Sequence, residues 1–142
     1  MDWINADFSH LQPYSGTKDK VKLKEFSFSN GNVTSYMYGG DVALNSSLGA
    51  WYEPASDERF VVYQEAKNGR LKELSLIDRT THDIVSTSDA KAGTSIAVTN
   101  YQGTAYLYYA DKLDNVRRVT KSSGNGARPR SYETARQLGT IR

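Results

Sequence analysis

From Val21 to Phe28 the chain alternates apolar and polar residues, the period of a strand with one buried face. Phe60-Val61-Val62-Tyr63 and Leu71-Lys72-Glu73-Leu74-Ser75-Leu76 carry similar patterns on either side of Lys67-Asn68-Gly69-Arg70. Asn-Gly between two such runs predicts a hairpin, because both residues tolerate positive φ. Ala105-Tyr106-Leu107-Tyr108-Tyr109 and Val116-Arg117-Arg118-Val119 form a second pair around Asp114-Asn115, and Asn30-Gly31 marks another tight turn. The one helix-tolerant stretch, Tyr132 to Leu138, is short. The chain is expected to be all-β.

The strands repeat. Leu23-Lys24-Glu25-Phe26-Ser27-Phe28 is echoed by Leu71-Lys72-Glu73-Leu74-Ser75-Leu76, and Ser47-Leu48-Gly49-Ala50 by Ser95-Ile96-Ala97-Val98. The spacing, roughly 45–48 residues, falls in the range of propeller blades. Each unit reads as four strands: small-apolar, Tyr-rich, Glu-bearing after a hairpin, and an outer strand such as Ile84-Val85-Ser86-Thr87. On this reading 1–46 is a partial blade, 47–93 and 94–136 are blades, and 137–142 is the first strand of a shared blade. About three units cannot close a ring of about 4–8 blades, whereas two copies supply six. A blade completed by both chains would also cover unpaired strand edges. The alternative is a monomeric β-sandwich with similar-looking strands.

Composition narrows the chemistry. At 142 residues one domain is expected, and the absence of Cys removes disulfides, thiol catalysis and thiolate metal sites. The mean hydropathy is -0.63 and no apolar run suits a membrane helix. Met1-Asp2-Trp3-Ile4-Asn5 has neither a basic start nor an apolar stretch, so no secretion leader is expected. From Val116 onward seven basic residues meet Glu133 alone, a net of +6 that leaves -4 for the rest of a chain of +2. Without a recognition motif, this basic end is read as docking on an acidic subunit rather than on nucleic acid. With two His, His10 and His82, and no nucleophile elbow or dinucleotide loop, no metal, cofactor or catalytic residue is assigned. Ten Tyr against four Phe fit half-wet sheet surfaces, by cross-strand packing or around polar ligands.

The segment Val61-Val62-Tyr63-Gln64-Glu65-Ala66-Lys67-Asn68-Gly69-Arg70-Leu71-Lys72-Glu73 resembles the blade motif of fungal fucose-binding lectins of the Aleuria type. Thr94-Ser95-Ile96-Ala97-Val98-Thr99-Asn100-Tyr101 is similar to that family's preceding strand, and the resemblance covers most of the chain after about Val21. It implies a propeller with sugars bound between adjacent blades. An Arg and a Glu would hold the hydroxyls while an aromatic ring covers the apolar face. The family's Glu falls on Glu25 and Glu73, with Arg118 at the third position. Its Arg falls on Val61 and Tyr106, so neither full unit keeps it. The preceding-strand aromatic falls on Glu53 and Tyr101, and His82 and Tyr132 stand nearest the place of a later Trp. The implied ligand residues are therefore Glu73 with Tyr101 and His82, and Glu25.

Bland alternatives stand beside each: Glu25 and Glu73 paired with Lys24 and Lys72, Tyr101 in the core, and His82 as a loop residue. The functional expectation is a lectin-like carbohydrate binder, taking fucose or a related glycan and acting as a homodimer. The alternatives are a fungal secondary-metabolite cyclase or cycloaddition catalyst on the same fold, and a protein-binding scaffold.

Overall fold

A computed structural model of the chain describes residues 4–5, 20–122 and 132–141. Thirteen strands run through them: β1 (Ile4–Asn5), β2 (Lys20–Val21), β3 (Lys24–Ser29), β4 (Asn32–Met37), β5 (Val42–Ala43), β6 (Leu48–Glu53), β7 (Glu58–Gln64), β8 (Leu71–Ser75), β9 (Thr81–Asp83), β10 (Ala97–Tyr101), β11 (Thr104–Ala110), β12 (Asn115–Ser122) and β13 (Arg136–Thr140). The described chain is all-β, with one short 3-10 turn at Val85–Thr87. No helix among the described residues is long and apolar enough to cross a membrane.

Three antiparallel sheets follow one another along the chain. The first is ordered β1-β3-β4, the second β6-β7-β8-β9 and the third β10-β11-β12-β13, with β2 and β5 as a separate small ladder. Turn chemistry explains the register. Asn30 and Gly31 both take positive φ, 49° and 78°, so a two-residue turn closes β3 onto β4.

The sheets stack through two apolar layers. Val61, Tyr63 and Leu74 of the second sheet pack against Val21, Leu23, Tyr38 and Val42. On its opposite side Val62 and Leu71 meet Leu107, Tyr109 and Val119 of the third sheet. The second sheet is thus buried on both faces. Its first strand lies close to the first strand of the next sheet. A Cβ on Gly49 would come within 2.6 Å of Val98 Cγ2, so only glycine allows this approach without a shift. Ser47 Oγ donates to the Thr94 carbonyl at 2.9 Å and accepts from the Ile96 amide at 2.8 Å. Buried Gln64 adds a satisfied amide: Nε2 donates to the Gly69 and Lys91 carbonyls, and Oε1 accepts from the Gly93 amide.

Several expectations change. The fourth strand of the second sheet is β9, not Ile84-Val85-Ser86-Thr87. Ile84 is buried in the core, and the Thr87 hydroxyl bonds its carbonyl while accepting the Leu71 amide, which winds this stretch into a 3-10 turn. The stretch near Leu138 is a strand, not a helix. It pairs with β12 as the edge strand of its own sheet rather than opening another blade. Asn115 Oδ1 holds it there, accepting from Gln137 Nε2 and Thr140 Oγ1. The alternation expected from Val21 to Phe28 does not hold throughout, because Lys24 and Glu25 are both polar and the apolar positions change phase there. Val21 and Leu23 are buried, whereas Phe28 is half exposed.

Candidate functional site

Two grooves lie between the stacked sheets, and each carries one of the two matched glutamates. Along β8, Leu71, Glu73 and Ser75 alternate with Lys72 and Leu74, which turns Glu73 toward the third sheet. Along β12 the same alternation puts Val119 and Lys121 on the face opposing it. Glu73 and Lys121 are both buried, and Lys121 Nζ pairs with Glu73 Oε1. The Tyr132 hydroxyl donates to Glu73 Oε2. Both carboxylate oxygens are therefore engaged.

An aromatic wall surrounds the cation. Lys121 Nζ stands 4.5 Å from the ring centre of Phe60, 5.3 Å from Tyr132 and 5.4 Å from Trp51. Trp51 and Phe60 stack at 4.4 Å. Rings this close attract an ammonium through their quadrupoles, which offsets part of the cost of burying it. The cluster floors an open cavity of about 510 Å³ whose rim includes Ser75, His82, Asp83 and Ser86.

The groove between the first and second sheets is different. Glu25 accepts from the Tyr38 hydroxyl at 2.5 Å, and Arg59 Nη1 lies 3.7 Å away. Tyr38 fills the space a ligand would need, and the remaining cavity is about 20 Å³. Small-molecule sites occupy roughly 300–1,000 Å³. Glu25 is held by Tyr38 and Arg59 beside a cavity too small for a ligand, so the second groove is the candidate site.

Of the expected ligand residues, Glu73 and His82 come together as directly paired residues of β8 and β9 on the same cavity. Tyr101 does not join them. It ends β10 opposite Thr104, is 63% exposed, and does not line this cavity. The bland pairing also fails, since Lys72 binds Glu65 at 2.8 Å and Asp83 at 3.4 Å, and Lys24 lies over the Phe26 ring. Lys121, taken in sequence as part of a basic end, is the missed residue. Its place one alternation after buried Val119 was the available signal. Arg117 likewise turns inward, to Asp89 at 3.6 Å and Asp111 at 4.0 Å, so these two charges are met within the chain. Arg128 and Arg130 lie outside the described residues.

Five tyrosines among the described residues hold their protons above the ordinary range, Tyr52 through its bond to Asp57 and Tyr63 through burial. Burial raises Tyr38, helped by its bond to Glu25. Burial also raises Tyr109, whose hydroxyl donates to Asp89 Oδ1 at 2.7 Å, and Tyr132, helped by the charge of Glu73. A raised acid stays neutral in the fold where the unfolded chain ionises, so unfolding releases protons above about pH 10. The stabilisation is complete below that pH and declines as pH rises toward the folded values. In an alkaline absorbance titration Tyr38, Tyr63, Tyr109 and Tyr132, four of the ten tyrosines, are expected to ionise only with unfolding. Ionisation of all ten near pH 10, with circular dichroism unchanged, would contradict their burial.

No family model matches the chain, and no curated protein matches it significantly.

Proposed function

We propose that this chain is a carbohydrate-binding, lectin-like protein whose groove between the second and third sheets takes fucose or a related neutral sugar. The observation that carries the reading is the Glu73–Lys121–Tyr132 cluster flooring a cavity of about 510 Å³. Glu73 stands where the resembling lectins hold sugar hydroxyls with a carboxylate. The cation absent at Val61 is supplied by Lys121 from the neighbouring sheet. Glu73 is 1% exposed with its oxygens held by Lys121 and Tyr132, so the pair forms the polar floor while His82, Asp83 and Ser86 at the rim meet the sugar hydroxyls. Phe60 offers an apolar ring beside them, and His82 a polar group at the rim. In the same reading each sheet is a blade, and a second copy supplies the remaining three of a six-bladed ring.

Titration with fucose and other neutral monosaccharides, followed by ligand-observed NMR, tests the site. His82→Ala is expected to weaken binding by about threefold to tenfold, the effect of one ordinary hydrogen bond, with the fold intact. No response to any neutral glycan from folded protein would overturn the lectin reading. Sedimentation at twice 15.8 kDa is the expected mass, and a persistent monomer would remove the ring.

A further inference from the structure

The third sheet carries a second cavity that the reading above does not use. It lies on the face turned away from the second sheet and measures about 260 Å³. Alternation along β11 and β12 places Tyr106, Arg118 and Thr120 there, because Leu107, Val119 and Lys121 take the other side. Arg136 of β13 is the direct cross-strand partner of Arg118, and both line the cavity. Like charges directly opposite each other destabilise a sheet. Among the described residues neither arginine forms an ion pair within 4.0 Å, and the buried Nε of Arg118 has no hydrogen-bond partner. The one carboxylate at the cavity, Glu133, accepts instead from Thr120 Oγ1 at 2.9 Å.

We infer that this cavity is an anion site, and that its ligand is a sugar bearing a carboxylate or sulfate group. Two arginines at paired cross-strand positions, both lining the cavity, offer donors to the planar oxygens of a carboxylate or the tetrahedral oxygens of a sulfate. The Tyr106 ring, 5.7 Å from the Arg118 guanidinium, supplies an apolar wall, and the hydroxyls of Thr104 and Thr120 supply polar partners. In the aligned sequence repeat Arg118 falls where Glu25 and Glu73 fall, so the same place in the repeat has reversed its charge. The anion follows from these residues alone; the sugar rests on the carbohydrate-binding reading. In the proposed ring this face becomes a further groove between blades.

The test is a titration of the full chain, at fixed ionic strength, with glucuronate, glucose, a sulfated monosaccharide and inorganic sulfate. Heteronuclear NMR shifts at Tyr106, Arg118 and Arg136 are the readout. Glucuronate or the sulfated sugar is expected to shift these residues, with glucose much weaker. Arg136→Gln, on an exposed edge strand, is expected to weaken the response by about tenfold to a hundredfold. Arg118→Gln tests the same contact from the buried side, and circular dichroism reports whether each variant is folded. Equal affinity for glucose and glucuronate, or an acidic-sugar response unchanged by Arg136→Gln, would overturn the site. Inorganic sulfate binding as tightly as the acidic sugars would overturn the sugar while keeping the anion. Failure here leaves neutral-sugar binding at Glu73 and His82 untouched, so the two readings fall separately.

Discussion

Lys121→Met is expected to lower stability by about 3–5 kcal/mol, the effect of leaving one member of a buried ion pair without its partner. Glu73 is 1% exposed, and its charge would face the Phe60 and Trp51 rings with only the Tyr132 hydroxyl to solvate it. The measurement is urea unfolding at neutral pH, followed by tryptophan fluorescence and circular dichroism. A second substitution separates the pair from simple packing. Lys121→Met with Glu73→Leu removes both charges, and is expected to recover most of the loss. The exposed pair of Lys91 with Asp114, 2.5 Å apart and half open to solvent on both sides, provides the contrast. Lys91→Ala there should change stability by no more than about 1 kcal/mol. A loss that small at Lys121 would mean that water reaches the Glu73 carboxylate, and the floor of the groove would need redrawing.

This buried pair also changes what Glu73→Gln can report. Read from sequence, Glu73 is a groove-facing carboxylate whose exchange for an amide should leave the fold intact. With Lys121 buried against it, the amide leaves the ammonium uncompensated, so stability falls together with any ligand response. That is why the sugar test rests on His82, which is exposed and joins no described ion pair.

What the sequence made legible is governed by locality. The Asn30-Gly31 hairpin could be read because two adjacent residues determine the turn. The burial of Ala105, Leu107 and Tyr109 could be read because β11 alternates without a break. Gln102 and Gly103 make a similar two-residue turn with positive φ, and were missed because Gln carries no turn signal of its own. The strand near Leu138 was misplaced for a different reason. Its pairing depends on the side chain of Asn115, more than twenty residues away in sequence. Tyr101 was assigned by its place in a resembling motif, yet its exposure follows from where β10 ends. Lys121 was hidden by its chemistry, since a lysine on a strand is ordinarily solvated. Three rings and a carboxylate from other elements are needed to bury it, and none is adjacent in sequence.

The layer between the second and third sheets sets the last expectation. Leu107→Ala is expected to cost about 2–5 kcal/mol, the range for emptying a buried leucine site. Leu107 is fully buried, with Val98 and Val119 as its neighbours on the flanking strands and Val62 and Leu71 in the layer it meets. Strand backbones on both sides hold those neighbours apart, so little collapse into the cavity is available. Tyr101→Ala is the control on the same sheet. Its side chain is largely in solvent, and the change should stay within about 0.5 kcal/mol while leaving sugar binding at His82 unaltered. Urea midpoints for both variants, with the slope checked for constancy, decide the matter. If Tyr101→Ala abolished binding, the site would extend along β10, and the sequence assignment of Tyr101 would be restored. If Leu107→Ala cost less than about 1 kcal/mol, the third sheet would not be packed on the second, and the groove that joins Glu73 to Lys121 would lose its wall.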